Sequence, residues 1–264
     1  MKDTYEAFAK MIDHSLLHPT LTDQELEDGC KLAAAYGVAS VCIKPYAVRR
    51  AAELLKGSGV CVGAVIGFPH GSACTESKRY EAELACRDGA SEIDMVINVG
   101  KALSGDWAYV ERDVKAVCDE AHGRGAKVKV IFENDYLAQG GAGLDADAFK
   151  VRLCQLCERA GADWVKTSTG YGFVKQPGGS YSYTGATEHD LSLMRASVSA
   201  QVQVKAAGGV RDLDGLIRVR DLGATRCGAT ATAAMLDEYR RRESEEQAGN
   251  AGAARAGSLG GGGY

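Results

Sequence analysis

The sequence predicts an α/β protein built as a single (β/α)8 barrel, and a recurring local pattern is the first observation that carries this prediction. In that pattern a helical stretch ends in glycine, a small residue follows, and an apolar strand begins. It occurs at Gly37, Gly89, Gly125, Gly161 and Gly223, and the middle three lie 36 residues apart. Glycine suits this position because a helix commonly ends in a left-handed residue. Strands alternating with helices at this period predict βαβ units in a parallel sheet.

The number of elements is the second observation. Eight strands and eight helices in about 240 residues match a (β/α)8 barrel in count and length. The third is that VCVGAVIGF and VKVIF are almost continuously apolar, as expected of parallel strands covered on both faces. A doubly wound open sheet is the alternative, but no glycine-rich dinucleotide turn follows the first strand. The predicted strands are 11–15, 39–44, 60–67, 91–98, 127–133, 163–168, 202–207 and 224–228.

Helices are predicted in the intervals between these strands. The first begins with a capping box, in which Thr22 is followed by Glu25. The later ones are predicted near 46–56, 75–88, 106–123, 146–159, 187–198, 212–222 and 230–242. We expect the barrel domain, with a short N-terminal extension, to span residues 1–243. Residues 244–264 are rich in glycine and alanine, and we expect them to form a flexible tail.

Composition and charge argue against several classes of function. The 264 residues carry a formal net charge of −4 and an isoelectric point near 5.8, so nothing indicates a nucleic-acid or membrane partner. The sequence contains no run of roughly 18–20 apolar residues. Its N-terminus lacks the basic and apolar regions of a signal peptide. We therefore expect a cytoplasmic protein.

Nine cysteines are scattered along the chain, which indicates reduced, buried thiols in a cytosolic protein. The one close pair, Cys154 and Cys157, lies in a predicted helix. No second Cys or His pair lies at ligand spacing, so packing is favoured over metal or redox chemistry. We expect no metal.

Three ionisable residues lie inside otherwise apolar strands: Asp94 in SEIDMVINVG, Lys166 in DWVKTSTG and Lys205 in QVKAAGGVR. Active sites of barrels lie at the C-terminal ends of the strands. A buried lone charge is costly, so two lysines and an aspartate that converge would offset one another. A lysine nucleophile must be neutral, and burial beside a second cation lowers its pKa. These residues therefore predict a lysine nucleophile, with salt-bridge packing as the alternative.

Glycine-rich turns follow the last two strands and predict an anion site. Gly208, Gly209 and Val210 follow the seventh strand, while Gly228 and Thr230 follow the eighth and precede the last helix. Free backbone amides and a helix N-terminus bind anions, and barrels often hold phosphate at these loops. We favour the interpretation that these glycines bind the phosphate of a substrate over the alternative that they only form tight turns between strand and helix.

Other polar residues give weaker signals. Lys129 either faces the barrel interior or has a structural role. The five histidines show no partner motif for catalysis.

The segments VKTSTG, VKAAGGVR and EIDMVINVG, with MIDHSLLHP and SVCIKP, resemble the deoxyribose-phosphate aldolases, a class I family that uses a lysine Schiff base. The resemblance covers about residues 8–240 in the right order. It implies reversible cleavage of 2-deoxy-D-ribose 5-phosphate to D-glyceraldehyde 3-phosphate and acetaldehyde, in deoxyribose catabolism. It also implies that no metal or cofactor takes part and that the protein is a homodimer.

The resemblance also implies roles for individual residues. Lys166 forms the imine, Lys205 lowers its pKa and assists proton transfer, and Asp94 takes the proton of the C3 hydroxyl through a water. A terminal tyrosine on a flexible tail reaches the active site in many members, and Tyr264 stands in that position here. The implied substrate-binding residues are Asp13, Cys42, Thr169, Gly170, Gly208, Gly209, Val210, Gly228 and Thr230.

Two segments depart from the family pattern. YGFVKQPGGSYSYTGAT (171–187) is longer than in many bacterial members and is either a lid or a surface loop, with Lys175 inside it. RCGATAT (226–232) replaces a serine-containing segment, which weakens the expected phosphate contacts. The alternatives are another class I aldolase or transaldolase, a barrel isomerase or synthase, and a non-catalytic phosphosugar-binding barrel.

Overall fold

A computed structural model describes the backbone of residues 4–258 and the side chains of residues 4–248. Eight parallel strands close into a barrel in the order β1-β2-β3-β4-β5-β6-β9-β10, which confirms the predicted (β/α)8 fold. The barrel strands are β1 (Ile12–Leu16), β2 (Ser40–Ile43), β3 (Cys61–Ile66), β4 (Glu92–Val96), β5 (Lys127–Ile131), β6 (Trp164–Lys166), β9 (Gln203–Ala207) and β10 (Arg226–Ala229). Each lies within about two residues of its predicted position.

Strand register decides which side chains meet inside the barrel. Lys166 on β6 is the direct partner of Lys205 on β9. Lys205 in turn pairs with Arg226 on β10, and Asp94 on β4 pairs with Lys129 on β5. Because side chains alternate along each strand, residues in register point to the same side of the sheet. The register therefore gathers cations and carboxylates inside one barrel.

Helices surround the barrel, and most of them match their predicted positions. They are α1 (Tyr5–Ala9), α2 (Asp23–Tyr36), α3 (Val48–Leu54), α4 (Thr75–Arg87), α5 (Val99–Leu103), α6 (Trp107–His122), α7 (Ala146–Ala160), α8 (Glu188–Ala196), α9 (Leu213–Asp221) and α10 (Thr232–Ser258). The capping box of Thr22 and Glu25 is present at the start of α2. Gly37 and Gly161 end α2 and α7 with φ of 64° and 94°, as the recurring glycine pattern predicts.

The C-terminal boundary differs from the expectation. The last helix was expected to end near residue 242, yet α10 continues through Ser258, so residues 244–258 are helical rather than an unstructured tail. Glutamate, glutamine and alanine in this stretch favour helix, and Arg241 pairs with Glu245 one turn later. Tyr264, for which a contribution to the active site was one of two equal alternatives, lies outside the described residues.

Four short elements were not predicted from sequence. Helices α1 and α5 have five residues each, too short for a clear helical periodicity. Strands β7 (Val174–Lys175) and β8 (Tyr181–Ser182) form a two-stranded antiparallel hairpin, and this hairpin occupies the middle of the 171–187 segment.

The helical layer packs against the barrel through one large apolar core. Cys154 and Cys157 on α7 are fully buried in it, and both are free thiols. Among the described residues no group of three or more His, Cys, Asp or Glu side chains could hold a metal ion. None of the helices in that part of the chain is long and apolar enough to cross a membrane.

A buried ion pair links two of these helices. Lys78 on α4 donates to Asp113 on α6 at 2.6 Å, and both side chains are fully shielded from solvent. Thr75 donates to the second carboxylate oxygen at 2.8 Å. Asp113→Ala should destabilise the fold by about 3–5 kcal/mol, because it leaves the lysine charge buried without its partner. Chemical denaturation measures this loss.

The same helix supplies a matched control for that measurement. Lys115 and Asp119 form an exposed pair at 2.7 Å one turn apart on α6. Asp119→Ala should cost less than about 1 kcal/mol, because water screens the pair. Equal losses for the two variants would contradict the role assigned to the buried pair.

Candidate active site

A layer of charged side chains lies inside the barrel, from the first residues of β4 and β10 to the C-terminal end of β6. It has four cationic and three acidic members, and each of the seven contacts at least one member of opposite sign. The members are Lys129, Lys166, Lys205, Arg226, Asp13, Glu92 and Asp94.

Asp94 lies at the centre of this layer. Its Oδ2 atom accepts hydrogen bonds from Lys166 and Lys205, both at 2.7 Å, and its Oδ1 atom lies 3.1 Å from Lys129 Nζ. The Cys42 thiol points to Oδ2 at 3.8 Å. Burial opposes ionisation of Asp94, but the three lysines overcome that penalty and hold its pKa well below the ordinary value. Asp94 is therefore an anion that joins the two predicted catalytic lysines.

Asp13 is a second carboxylate of this layer. It is fully buried and pairs with Lys205 at 2.7 Å and Lys129 at 3.0 Å. Ser40 and Arg226 donate to its other oxygen. Neither Asp13 nor Asp94 lines the adjoining cavity. Asp13 contacts Lys205, which does line it, and a contact of Asp13 with a substrate stays a prediction.

Glu92, Lys129 and Arg226 complete the lower part of the layer, and the sequence did not assign a role to Glu92 or Arg226. Glu92 accepts from Lys129 at 2.5 Å and from Arg226 at 2.8 Å. Of the two interpretations left open for Lys129, the interior position is correct, and its three acidic neighbours indicate a structural role. The signal that could have found Glu92 is its spacing of two residues from Asp94, which places both side chains on one face of β4.

The charge balance of the layer distinguishes its cations. Burial lowers the pKa of Lys166; Asp94 opposes this effect and Lys205 adds to it, and the net direction is downward. Burial also acts on Lys129 and Lys205, but their carboxylate neighbours raise both pKa values above the ordinary lysine value. With Lys166 neutral, three cations balance three carboxylates. Lys166 is thus the one amine in the layer that is prepared to act as a nucleophile.

A cavity of about 510 Å³ opens above the layer, with Lys166 and Lys205 in its wall. Most of the predicted substrate-binding residues line it, namely Cys42, Thr169, Gly170, Gly208, Gly209, Val210, Gly228 and Thr230. The sequence did not single out the other lining residues, which are Ser15, Leu17, His18, Pro19, Tyr171, Phe173, Tyr183, Ala207, Arg211 and Ala229. Arg211 stands out among these because it adds a permanent positive charge beside the glycine-rich turn.

Comparison with known proteins agrees with this arrangement. A model of the DeoC/LacD family of aldolases matches residues 7–240. The deoxyribose-phosphate aldolase of Rhodopirellula baltica is 51% identical over 238 residues, which are 90% of this chain and 91% of the relative. The chain belongs to the DeoC/LacD family of aldolases.

Solved structures of aldolases have the same fold. The aldolase QR15 is 33% identical with a TM-score of 0.78, and the match covers 89% of this chain and 97% of that one. The deoxyribose phosphate aldolase of Aeropyrum pernix, whose structure is described as a unique tetramer, is 28% identical with a TM-score of 0.77 over 90% and 92% of the two chains. The alternative of a non-catalytic barrel is therefore not supported, because the chain is a member of a lyase family.

In this aldolase the loop after Lys166 is held by a residue that the sequence did not indicate. Glu133 follows β5 in a left-handed conformation with φ of 59°, which is uncommon for a residue other than glycine. Its carboxylate accepts from the Thr169 amide at 3.1 Å and from the Thr169 hydroxyl. The Thr169 hydroxyl in turn accepts from the Tyr171 amide at 2.9 Å. Glu133 thereby fixes the path of the chain between Lys166 and the hairpin.

The opposite end of the cavity has the features of an anion site. Gly208 and Gly209 adopt φ of 87° and 91°, a conformation that favours glycine, and both line the cavity without side chains. Thr230 lies just before α10, whose N-terminus carries a partial positive charge. Arg211 lines the same region and is exposed. The segment RCGATAT thus contributes Gly228, Thr230 and backbone amides to this end of the cavity. It has no serine hydroxyl to donate to a phosphate, and Arg211 provides a positive charge there instead.

Proposed function

We propose that this aldolase reversibly cleaves 2-deoxy-D-ribose 5-phosphate into D-glyceraldehyde 3-phosphate and acetaldehyde through an imine on Lys166. The observation that carries the proposal is the position of Lys166, whose lowered pKa sets it apart from the other cations of the layer while it lines the cavity. The named activity of the Rhodopirellula baltica relative supports the choice of substrate.

The reaction begins with imine formation. The neutral Lys166 amine attacks C1 of the open-chain aldehyde, and loss of water with uptake of one proton from solvent leaves a protonated imine. That proton returns to solvent when the imine is hydrolysed at the end of the reaction. The positive nitrogen then serves as the electron sink for cleavage. Lys205 stays protonated beside it, and this cation favours the neutral form of the free amine.

Cleavage breaks the C2–C3 bond of the sugar. A water bound to Asp94 removes the proton from the C3 hydroxyl, C3 becomes the aldehyde carbon of glyceraldehyde 3-phosphate, and the bonding electrons move to the imine to give an enamine. The proton passes to the Asp94–Lys205 pair, whose atoms lie 2.7 Å apart. Protonation of the enamine at C2 and hydrolysis then release acetaldehyde and return the neutral amine.

The phosphate of the substrate occupies the anion end of the cavity. The amides of Gly208 and Gly209, the N-terminus of α10 and Arg211 supply positive potential there. Another class I aldolase or transaldolase acting on a different phosphorylated sugar remains the competing hypothesis, because the same imine chemistry serves it. Product analysis with 2-deoxyribose 5-phosphate separates the two, since only the proposed reaction yields acetaldehyde.

We also propose that no metal takes part, that the enzyme is cytoplasmic and that it forms a homodimer. The metal proposal rests on the chemistry of the layer, because the protonated imine already provides the electron sink that a Lewis acid would supply. A chelator such as EDTA should leave turnover unchanged within error. A loss of turnover that added Zn²⁺ restores would contradict this proposal.

The imine itself is tested by trapping. After incubation with acetaldehyde and borohydride, peptide mass spectrometry should find one ethyl group on Lys166. The Lys205→Leu protein tests whether the label is selective. This variant lacks the other lysine that lines the cavity, and the label should still be found on Lys166. Absence of a label from the wild-type protein, or a label only on exposed lysines, would contradict the proposed function.

A further inference from the structure

The 171–187 segment forms a hairpin at the mouth of the cavity. Strands β7 and β8 pair Val174 with Ser182 and Lys175 with Tyr181, and the turn is closed by a hydrogen bond from the Gln176 amide to the Ser180 carbonyl at 2.8 Å. Lys175 is exposed and does not line the cavity. The part of the segment that lines the cavity is its base, where aromatic side chains lie.

Both ends of the hairpin are fixed to the catalytic barrel. At the first end Gly172 packs so closely on Glu133 that a Cβ there would lie 2.4 Å from the Glu133 Cδ atom. At the second end the amides of Thr184 and Gly185 donate to the Asp135 carboxylate at 2.6 and 3.0 Å. Fixed ends hold the base of the hairpin in one position over the cavity.

The second end also contacts the glycine-rich loop formed by Gly208 and Gly209, which we call the anion loop. The Ala186 amide donates to the Gly208 carbonyl at 3.1 Å, and a Cβ on Gly208 would lie 3.0 Å from the Gly185 Cα atom. The same Cβ would lie 3.5 Å from Cε2 of the Tyr183 ring. The ring of Tyr183 therefore lies against Gly208, which lines the cavity at the proposed phosphate position.

Phe173 extends this aromatic cover. Its ring meets that of Tyr183 edge to face, with centroids 5.1 Å apart and planes at 87°, and both rings line the cavity. Phe173 is nevertheless 46% exposed, so its packing within the protein is incomplete. A large apolar ring left half-exposed at the mouth of a binding cavity gains further burial when a ligand fills that cavity.

We propose that Phe173 and Tyr183 form an aromatic roof that determines specificity for the phosphate-bearing end of the substrate. The proposal rests on the proposed function and extends it, because it assigns the preference for a phosphorylated over an unphosphorylated 2-deoxyaldose to this hairpin. Two rings beside Gly208 displace part of the water around a phosphate bound there, which strengthens the attraction between the phosphate and the surrounding amides and Arg211. Ring edges, which carry partial positive charge, add to that attraction.

A sugar without phosphate does not fill the space between the roof and the anion loop. Its reactive end still reaches Lys166, because imine formation at C1 needs only the inner part of the cavity. The roof should therefore affect binding of the phosphorylated sugar and leave the chemistry at Lys166 unchanged.

Binding measured in a Lys166→Ala background tests the roof without dependence on turnover. In calorimetric titrations Phe173→Ala and Tyr183→Ala should each weaken binding of 2-deoxyribose 5-phosphate about 3- to 10-fold, the range expected for one aromatic contact. Binding of 2-deoxyribose should change less than about 2-fold, within the range of a surface substitution. Tyr181→Ala is the matched control, since Tyr181 lies on the same hairpin, is 62% exposed and does not line the cavity.

A second measurement separates failure of the roof from failure of the proposed function. In proteins that retain Lys166, Phe173→Ala and Tyr183→Ala should be labelled by acetaldehyde and borohydride as fully as the wild type. If a variant weakens binding of both sugars equally, or leaves the ratio of their dissociation constants unchanged, the proposed role of the aromatic roof is wrong. The evidence for the imine on Lys166 is not affected by that result. Loss of label from the wild type would instead count against the aldolase chemistry, and the binding ratio would still decide the roof.

Discussion

Lys166→Ala should lower kcat/KM for cleavage of 2-deoxyribose 5-phosphate by at least about 10⁴-fold, as loss of a covalent nucleophile does in other enzymes. The physical reason is that the other cations near the cavity cannot replace it. Lys205 and Lys129 are held protonated by carboxylates, and a protonated amine has no lone pair for C1. Steady-state kinetics and the borohydride label measure the two consequences of the substitution, and both activity and label should disappear together.

The variant should remain folded, because removing Lys166 leaves Asp94 with Lys205 and Lys129. An exposed lysine gives the control. Lys31 pairs with Asp28 at 3.1 Å on the surface of α2, so Lys31→Ala should retain full activity and label. Residual activity above about 0.01% in Lys166→Ala would show that a different group forms the covalent intermediate.

Lys205→Leu should lower kcat/KM at pH 7 by about 10²- to 10³-fold, the range for loss of a proton-transfer group. The substitution also changes the pKa of Lys166, because it removes a neighbouring positive charge. Lys205 lowers the pKa of Lys166, so its removal raises that pKa. The three remaining cations then match the three carboxylates only when Lys166 is protonated, and each unit of increase reduces the neutral fraction tenfold.

The pH profile distinguishes this effect from a structural defect. The rising limb of activity reports deprotonation of Lys166 in the free enzyme, so in Lys205→Leu it should move to higher pH. The loss relative to wild type should be largest at low pH and should shrink as the pH rises. A uniform loss with an unshifted limb would contradict the role of Lys205 in setting the pKa of Lys166.

The same layer explains why Lys205→Leu should fold. Asp13 keeps Lys129 at 3.0 Å and Arg226 as partners, and Asp94 keeps Lys166 and Lys129. Each of the two carboxylates therefore keeps a positively charged partner. A buried carboxylate without such a partner would destabilise the fold most strongly. Far-UV circular dichroism and the melting temperature check this expectation.

The fold class and the three central residues of the site could be predicted from the amino-acid sequence alone. Helix ends and strand spacing are local properties, which is why glycines such as Gly37 and Gly161 marked them correctly. Asp94, Lys166 and Lys205 were visible because a charged residue within an apolar strand needs a partner. Family motifs around Lys166 then indicated the chemistry.

Contacts between distant strands determine which of these charges meet and which lysine has a lowered pKa. Asp13 and Arg226 are 213 residues apart in sequence, and barrel closure through β1 and β10 brings them together. Ion-pair energies depend on distances of a few ångströms, and no sequence pattern fixes such distances across several strands. For that reason the sequence did not show that Asp13 pairs with both Lys205 and Arg226. It also did not show that Lys166 has a lowered pKa while carboxylates raise the pKa values of Lys129 and Lys205.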